Sequence, residues 1–464
     1  MTAWCYVLAW SATLAAELFR VPYAGSAAGL AILLFLLGEF RNQRRYAKVL
    51  FLGMFAIGMI GVVAAPHPVA LFLGAWRRGA SYAAFFLALT TLRDAAETSP
   101  LVRRCGRHLV AQPPGRRYAA LTAGGHIFGI ILSYGAIELL AAMVARANDA
   151  DTATAAPARA LRSRRMLMAI YRGFCVMNCW SPLNIMTAVV STAVPAAPMH
   201  RLLPIAFVVA VGMAALGWLE DRVSAARRAT RTAPFEGSPH AAGSWSVHLG
   251  VVALVALVML LAEGFSHGAG ISLVTAVTAI VPAVGIAWLA VQSRHRAVQL
   301  ILPLLGRRLS RFRLRIPSFR AEATVLAASG FMAFALAGAL PASGLAPLLA
   351  WLPALAVPLL VPVVLIATGQ LGLNPVAVIA LLGAAVPDPG ALGVPPAVLA
   401  FAFMLSWGLG VGMTPMSASA ITTARWAGVD PWTVSTVWNA AFTLSALLLA
   451  WIAIAGLYWL APHL

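Results

Sequence analysis

Charge is what this sequence has least of. Only 10% of its 464 residues are Asp, Glu, Lys or Arg, against roughly 25% in a soluble globular chain. A water-facing surface cannot be built from that. Acid is scarcer still, with 14 Asp and Glu against 33 Lys and Arg. Cysteine is sparse too: Cys5, Cys105, Cys175 and Cys179 include no pair at the two-residue spacing of a zinc site. Cys175 and Cys179 share one helical face and read as small core packing. No His pair has metal-ligand spacing, and most acids fall in polar loops beside Arg. An enzyme gathering acid/base groups or a metal at one interface is therefore disfavoured, and no metal or cofactor is expected.

What is present is apolar length. Hydrophobic residues make up 61% of the chain, and runs of about 20 residues, each enough to cross some 30 Å of hydrocarbon as a helix, recur throughout. The fold class is an all-α polytopic membrane protein, with the lipid bilayer as its main partner. The net charge of +19 sits in short Arg clusters between apolar runs. That is how cytoplasmic loops orient membrane proteins, and it argues against nucleic acid. The first runs cover Ala3 to Leu18, Ala24 to Phe40, Val49 to Ala65 and Ala80 to Leu92, with no signal-peptide cleavage pattern, so the first reads as a retained span. Clusters at Arg41, Arg44, Arg45, Lys48 and at Arg93, Arg103, Arg104, Arg107, Arg116, Arg117 fall two spans apart. Both count as cytoplasmic, with the N-terminus, and the Ala- and Arg-rich composition suits a bacterial inner membrane.

The segment Tyr118 to Ala145 precedes another Arg-rich loop, Arg146 to Arg165, which includes Asp149 and Asp151. One crossing would put that loop outside; a re-entrant hairpin with its tip at Ser133-Tyr134-Gly135 keeps it inside and is preferred. Met166 to Val194 is interrupted at Trp180-Ser181-Pro182-Leu183-Asn184, where Pro removes a backbone donor, and reads as a broken helix. After a span at Leu202 to Trp218, the polar stretch from Glu220 to Trp245, with Arg222, Arg227, Arg228 and Arg231, is the natural cytoplasmic linker. The second half carries spans at Val247 to Leu261 and Ile271 to Val291, then a basic segment from Arg294 and Arg296 through Arg307, Arg308, Arg311, Arg313, Arg315 to Arg320. It continues with a span at Ala323 to Leu340, a Pro-rich segment and an apolar pair broken at Thr368-Gly369-Gln370. An interrupted helix around Gly412-Met413-Thr414-Pro415 and a span at Thr433 to Leu460 complete it.

The halves repeat. Pro182 and Pro415, and again Pro198 and Pro431, stand 233 positions apart (415 − 182 and 431 − 198), and the same offset carries Ser133 to within three residues of Thr368. The expected division is an extra N-terminal span (1–20), a first repeat (21–219), a cytoplasmic linker (220–245) and a second repeat (246–464). About eleven spans result, five in each repeat beside one hairpin. The odd number inverts the second copy, an architecture of secondary transporters whose discontinuous helices bind substrate and coupling ions near the midplane.

With Ser181-Pro182-Leu183-Asn184-Ile185-Met186-Thr187 in one half and Gly410-Val411-Gly412-Met413-Thr414-Pro415-Met416-Ser417-Ala418-Ser419 in the other, the chain resembles the ion transporter superfamily, and within it the divalent anion sodium symporters. The resemblance implies a cytoplasmic N-terminus, eleven spans, two hairpins entering from opposite faces, a homodimer and an elevator mechanism. The family's contiguous Ser-Asn-Thr signature is absent from both hairpin tips.

Oxygen-rich side chains at the breaks suit a hard cation. Ser133, Ser181, Asn184, Thr187, Thr368, Thr414, Ser417 and Ser419 are the candidate substrate- and ion-binding residues, although Ser and Thr also re-satisfy backbone freed by Pro. His126 and Glu138, on opposite arms of the first hairpin, are coupling candidates or a structural pair facing each other. Arg172 and Arg425 flank the breaks, for a substrate anion or for interfacial snorkelling. Trp180, Trp407 and Trp426 read as belt or packing residues. The function these features support first is a carrier of a small anion coupled to Na+ or H+. A sodium/proton antiporter would want Asp or Glu at the breaks, which have none. A membrane-embedded enzyme ranks behind both.

Overall fold

The computed structural model describes residues 2–149, 155–229, 245–293, 298–340 and 346–461. Asp151, Arg231, Arg294, Arg296, the middle of the linker and residues 341–345 of the Pro-rich segment lie outside them. Among the described residues the regular structure is helical throughout. The first half is α1 (Thr2–Leu18), α2 (Ala24–Glu39), α3 (Arg45–Ala64), α4 (Pro68–Glu97), α5 (Pro100–Val110), α6 (Pro114–Leu132), α7 (Gly135–Asp149), α8 (Ala156–Met177), α9 (Ile185–Ala193) and α10 (Met199–Ala229). The second half is α11 (Ser246–Ala269), α12 (Leu273–Gln292), α13 (Val298–Arg315), α14 (Arg320–Ala339), a single turn α15 (Ala346–Leu349), α16 (Ala356–Gln370), α17 (Pro375–Ala385), α18 (Pro396–Met413), α19 (Ala418–Ala427) and α20 (Ala440–Leu460). Proline begins α4, α5, α6, α17 and α18. There its missing N–H falls on a donor that has no partner within the helix anyway.

Among the described residues, eight helical stretches are long and apolar enough to cross a membrane: Ala24–Asn42, Arg45–Ala64, Met199–Ser224, Ser246–Ala269, Leu273–Gln292, Gly306–Ala339, Pro396–Ala427 and Ala440–Leu460. The remaining expected spans correspond to α1, 17 residues long, and to α4 and α8–α9, which carry Arg. Two amphipathic helices stand where basic loops are expected from the sequence. In α5, Val102, Cys105 and Leu109 are buried while Arg103, Arg104 and Arg107 are exposed. Its 11 residues reach about 16 Å, too short to cross. The helix α13 is the second, with Arg307, Arg311 and Arg315 exposed.

Both hairpins form. The first turns at Ser133 and Tyr134, with Ser133 at φ 52°. The second does not turn at Thr368-Gly369-Gln370. Those residues complete α16, and the turn is Leu371 to Asn374, with Gly372 at φ 83°. The polarity that marks a break there is consumed locally: Thr368 Oγ1 donates to Val364 O at 2.7 Å within its own helix, and Asn374 Oδ1 caps α17 through Val376 N at 2.8 Å.

Packing exchanges partners between the halves: α3 lies on α14 as α12 lies on α4, and α7 meets α19 as α17 meets α9. The apolar core nevertheless forms two clusters that cut across the halves. One joins α1 to α4 with α14, around Phe55, Trp76 and Phe331. The other joins the hairpins, the broken helices, α5, α10, α11, α12 and α20, and meets the first on α4, through Tyr82, Phe85 and Leu92, and on α14, through Leu326. Close approach of α4 and α14 depends on Gly79, where a Cβ would sit 2.6 Å from Ala327 O, as small residues allow in membrane helix pairs.

Ion pairs gather the basic clusters at one end of the bundle. Thr2 donates to Glu39 at 2.8 Å, Glu39 pairs with Arg320 at 3.3 Å, and Arg315 bridges Asp94 and Glu97 at 2.5 and 3.0 Å. The start of α1 therefore shares this end with the ends of α2 and α4 and the start of α14.

Candidate functional site

Each half contains a helix that stops and restarts. The first stops at Met177, runs without helix through residues 178–184 and resumes at Ile185, where Asn184 Oδ1 accepts from Met186 N at 2.9 Å. The second stops at Met413 and resumes at Ala418, where Ser417 Oγ accepts from Ala420 N at 3.1 Å. Asn184 and Ser417 are again 233 positions apart (417 − 184), so the register superposes cap on cap. The free N–H groups of α9 and α19 leave a partial positive charge at each restart.

The two breaks lie on adjacent helices. Tyr171 Oη donates to Gly412 O at 3.0 Å, and Cys179 Sγ lies 3.7 Å from Leu405 O. Thus α8 and α18 run antiparallel, with one break at each end of their overlap. In the first break Asn184 Nδ2 donates to Asn178 Oδ1 at 2.6 Å, and Thr187 Oγ1 donates to Ser181 O at 2.9 Å. Ser181 is wholly buried, and its hydroxyl has no hydrogen-bond partner among the described residues. That group is costly to leave unmade, by about 1–3 kcal/mol.

At the second break, Thr414 Oγ1 donates to Gly410 O at 2.6 Å, and the hydroxyls of Ser417 and Ser419 lie 3.1 Å apart. The second hairpin comes to this break. Gln370 Nε2 donates to Met413 O and meets Thr436 Oγ1 at 3.3 Å, while Gly369 lies against Thr414. Asn439, fully buried in the last span, donates to Gly412 O at 2.9 Å. A π-helical turn at Thr433–Val437 precedes it. Outside the span, Asp430 accepts from the backbone N and hydroxyl of Thr433 at 2.9 and 2.6 Å, which lowers its carboxyl pKa.

Several sequence expectations are placed elsewhere. The structure brings Ser181, Asn184 and Thr187 together at one break and Thr414, Ser417 and Ser419 at the other. Thr368 is turned into its own helix, and Ser133 is exposed at a tip beside the other packing cluster, where Tyr134 Oη donates to Glu322 at 3.3 Å. His126 and Glu138 do not face each other. His126 Nε2 accepts from Trp180 Nε1 at 2.8 Å, whereas Glu138 accepts from Arg425 and, at 2.9 Å, from Trp426 Nε1. The two arms turn these side chains toward different helices. Arg172 does not snorkel: it is 5% exposed and donates to Asn439, Tyr118, Glu220 and Trp438 O. Sequence reasoning missed Tyr171, Asn439 and Thr436. Only Asn439, a lone amide in an apolar run, left a signal.

Two hairpins and two interrupted helices, the latter antiparallel neighbours in a helical bundle, define an all-α polytopic membrane protein. The fold is similar to that of the YdaH transporter of Alcanivorax borkumensis, whose crystal structure matches with a TM-score of 0.60 at 14% identity, over 89% of this chain and 98% of that one. No family model and no curated protein matches the chain.

Proposed function

We propose that the protein is a secondary active transporter of a small anionic solute, coupled to Na+ or H+, and that it works by elevator-type alternating access. The observation that carries this is the pair of helix restarts on adjacent antiparallel helices, with a wholly buried, unpartnered Ser181 hydroxyl at one and a hairpin tip at the other. Hydroxyls, amide oxygens and freed carbonyls suit a hard cation, and the N-termini of α9 and α19 suit an anion. Division of the core into two clusters supports one body sliding on the other, with Tyr134 and Glu322 on the sliding surface. The resemblance to divalent anion sodium symporters is carried into this proposal, together with a homodimer, the repeats 21–219 and 246–464, and a cytoplasmic basic end. Neither break contains an acid, which favours an anion carrier over an antiporter, and among the described residues no cluster of His, Cys, Asp and Glu that could hold a metal supports an enzyme.

Thermal stability in detergent tests it, using di- and tricarboxylates, sulfonates and inorganic anions, each in sodium and in potassium at two pH values. A ligand at about 100 times its dissociation constant adds roughly 2.7 kcal/mol. Sodium-dependent stabilisation by one anion class is expected. Response to sodium or pH alone, with no anion effect, would move the function to cation exchange.

Two substitutions probe the site. Ser181→Ala removes an unsatisfied hydroxyl, so the ligand-free protein should gain about 1 kcal/mol while losing cation-dependent stabilisation. A variant that keeps the full cation response excludes Ser181 as a ligand. His126→Ala should change the pH dependence of transport more than its maximum rate, and an unaltered pH profile removes His126 from coupling.

A further inference from the structure

At the basic end of the bundle, α1, α4 and α12 enclose a slot of about 370 Å³ roofed by α13, within the 300–1,000 Å³ range of ligand sites. Its walls are apolar, with Val7, Leu87, Pro282 and Ile286 among them. Its mouth is cationic. Arg308 and Arg313 project from amphipathic α13 to the rim, and neither has a carboxylate within ion-pair distance among the described residues. Arg308 Nη1 donates to the Thr98 hydroxyl at 3.0 Å, and the Arg313 guanidinium lies over the Trp4 ring, 4.9 Å from its centroid. Asp94, the acid on the rim, is already held by Arg315 at 2.5 Å. Trp10, on the wall, is fixed by donating Nε1 to Thr278 O at 3.1 Å.

We propose that this slot binds one anionic phospholipid, its acyl chain between α1 and α12 and its phosphate at Arg308 and Arg313. Charge complementarity selects that occupant. An apolar cleft takes an alkyl chain, and two guanidinium groups that make no ion pair among the described residues, beside it at the basic end, take a phosphate that also carries net negative charge. A zwitterionic lipid offers the same chain and phosphate but adds a cation that these arginines repel. The Trp4 indole completes an interfacial edge of the kind aromatic belts provide. The bound lipid would fasten α13 to the α1–α4 body. The inference does not depend on the transport activity.

Native mass spectrometry tests it on protein reloaded from detergent with an equal mixture of phosphatidylglycerol and phosphatidylcholine of matched chains. Wild type should retain phosphatidylglycerol in preference, and R308Q/R313Q should lose that preference by roughly tenfold or more. Ile286→Trp, which fills the slot without altering charge, should lower retention of both lipids. R41Q/R44Q, the same charge change elsewhere, should leave the preference intact. Equal retention of the two lipids by wild type overturns the proposal, as does unaltered retention in both slot variants or an equal loss in R41Q/R44Q. Displacement of the lipid by inorganic phosphate would assign the arginines to a soluble anion instead and overturn it also.

Discussion

Arg172→Met is expected to cost the folded protein roughly 3–5 kcal/mol, the range for removing one member of a buried charge network. The guanidinium is the donor around which this part of the core is satisfied. Its Nε reaches Asn439 Oδ1 at 3.0 Å, and its terminal nitrogens reach Tyr118 Oη at 3.1 Å, Glu220 at 3.2 Å and Trp438 O at 3.2 Å. Methionine fills the volume but strands these acceptors. The consequence reaches the second break, because Asn439 is oriented by Arg172 on one side and holds Gly412 O on the other. Arg172→Lys should rescue only partly, since an ammonium lacks the planar fork that serves acceptors in several directions. Glu220→Gln should cost about 1 kcal/mol or less, the side chain being 31% exposed and the amide oxygen still able to accept from Arg172. Denaturation midpoints in detergent would order the variants Arg172→Met, Arg172→Lys, Glu220→Gln. A shift for Arg172→Met no larger than that of exposed Arg116→Gln would show that the network contributes nothing to stability.

The order of parts was legible because the residues that set it act locally. Pro182 and Pro415 stand among polar residues and fall at the interrupted helices, whereas Pro204, Pro282, Pro303 and Pro362, in apolar surroundings, are held inside continuous ones; the Arg runs between apolar stretches grouped the basic ends. The second hairpin turn was misplaced for a local reason as well. Thr-Gly-Gln looks like a break, but threonine can return its hydroxyl to the carbonyl four residues back, and the turn went to Gly372 and Asn374, where positive φ and capping are available. Helix α5 was hidden by its own arginines, although Val102, Cys105 and Leu109 already keep a helical spacing.

The side-chain constellation was much less legible. His126 and Glu138 are close enough in sequence to suggest a pair, but their partners are Trp180, Arg425 and Trp426, the last two nearly three hundred positions away. Nothing in local spacing encodes which neighbour a hairpin arm will present its face to. Asn439 and Tyr171 were missed for the same reason. Tyr171 is ordinary in its own span, and the amide of Asn439, though it stands out, acquires a partner only when the fold brings Gly412 to it.

The approach of those halves yields the second large effect, in graded form. Gly408→Ala should destabilise by about 1–3 kcal/mol or more, the cost of inserting a methyl group into a well-packed core. Its new Cβ would collide with Cys179 Sγ and stand 2.7 Å from Cys175 O, the second a backbone atom that cannot yield without moving α8. One turn along the same helix, Gly412→Ala would meet Asn439 Nδ2 at 3.3 Å and Cys175 Sγ at 3.4 Å. Side chains can give by that much, and alanine recovers roughly 0.5–1 kcal/mol of helix preference, so a net change within about 1 kcal/mol is expected. Gly456→Ala, with nothing within 4 Å of its Cβ, should raise stability by that helix preference alone. Thermal midpoints therefore order the series 408, 412, 456 from loss to gain. Since all three variants add the same methyl group to a helix, equal effects would mean that propensity, rather than the contact of α8 with α18, governs these sites. A drop at 408 alone, accompanied by lost cation-dependent stabilisation, would tie the spacing of the two interrupted helices directly to binding.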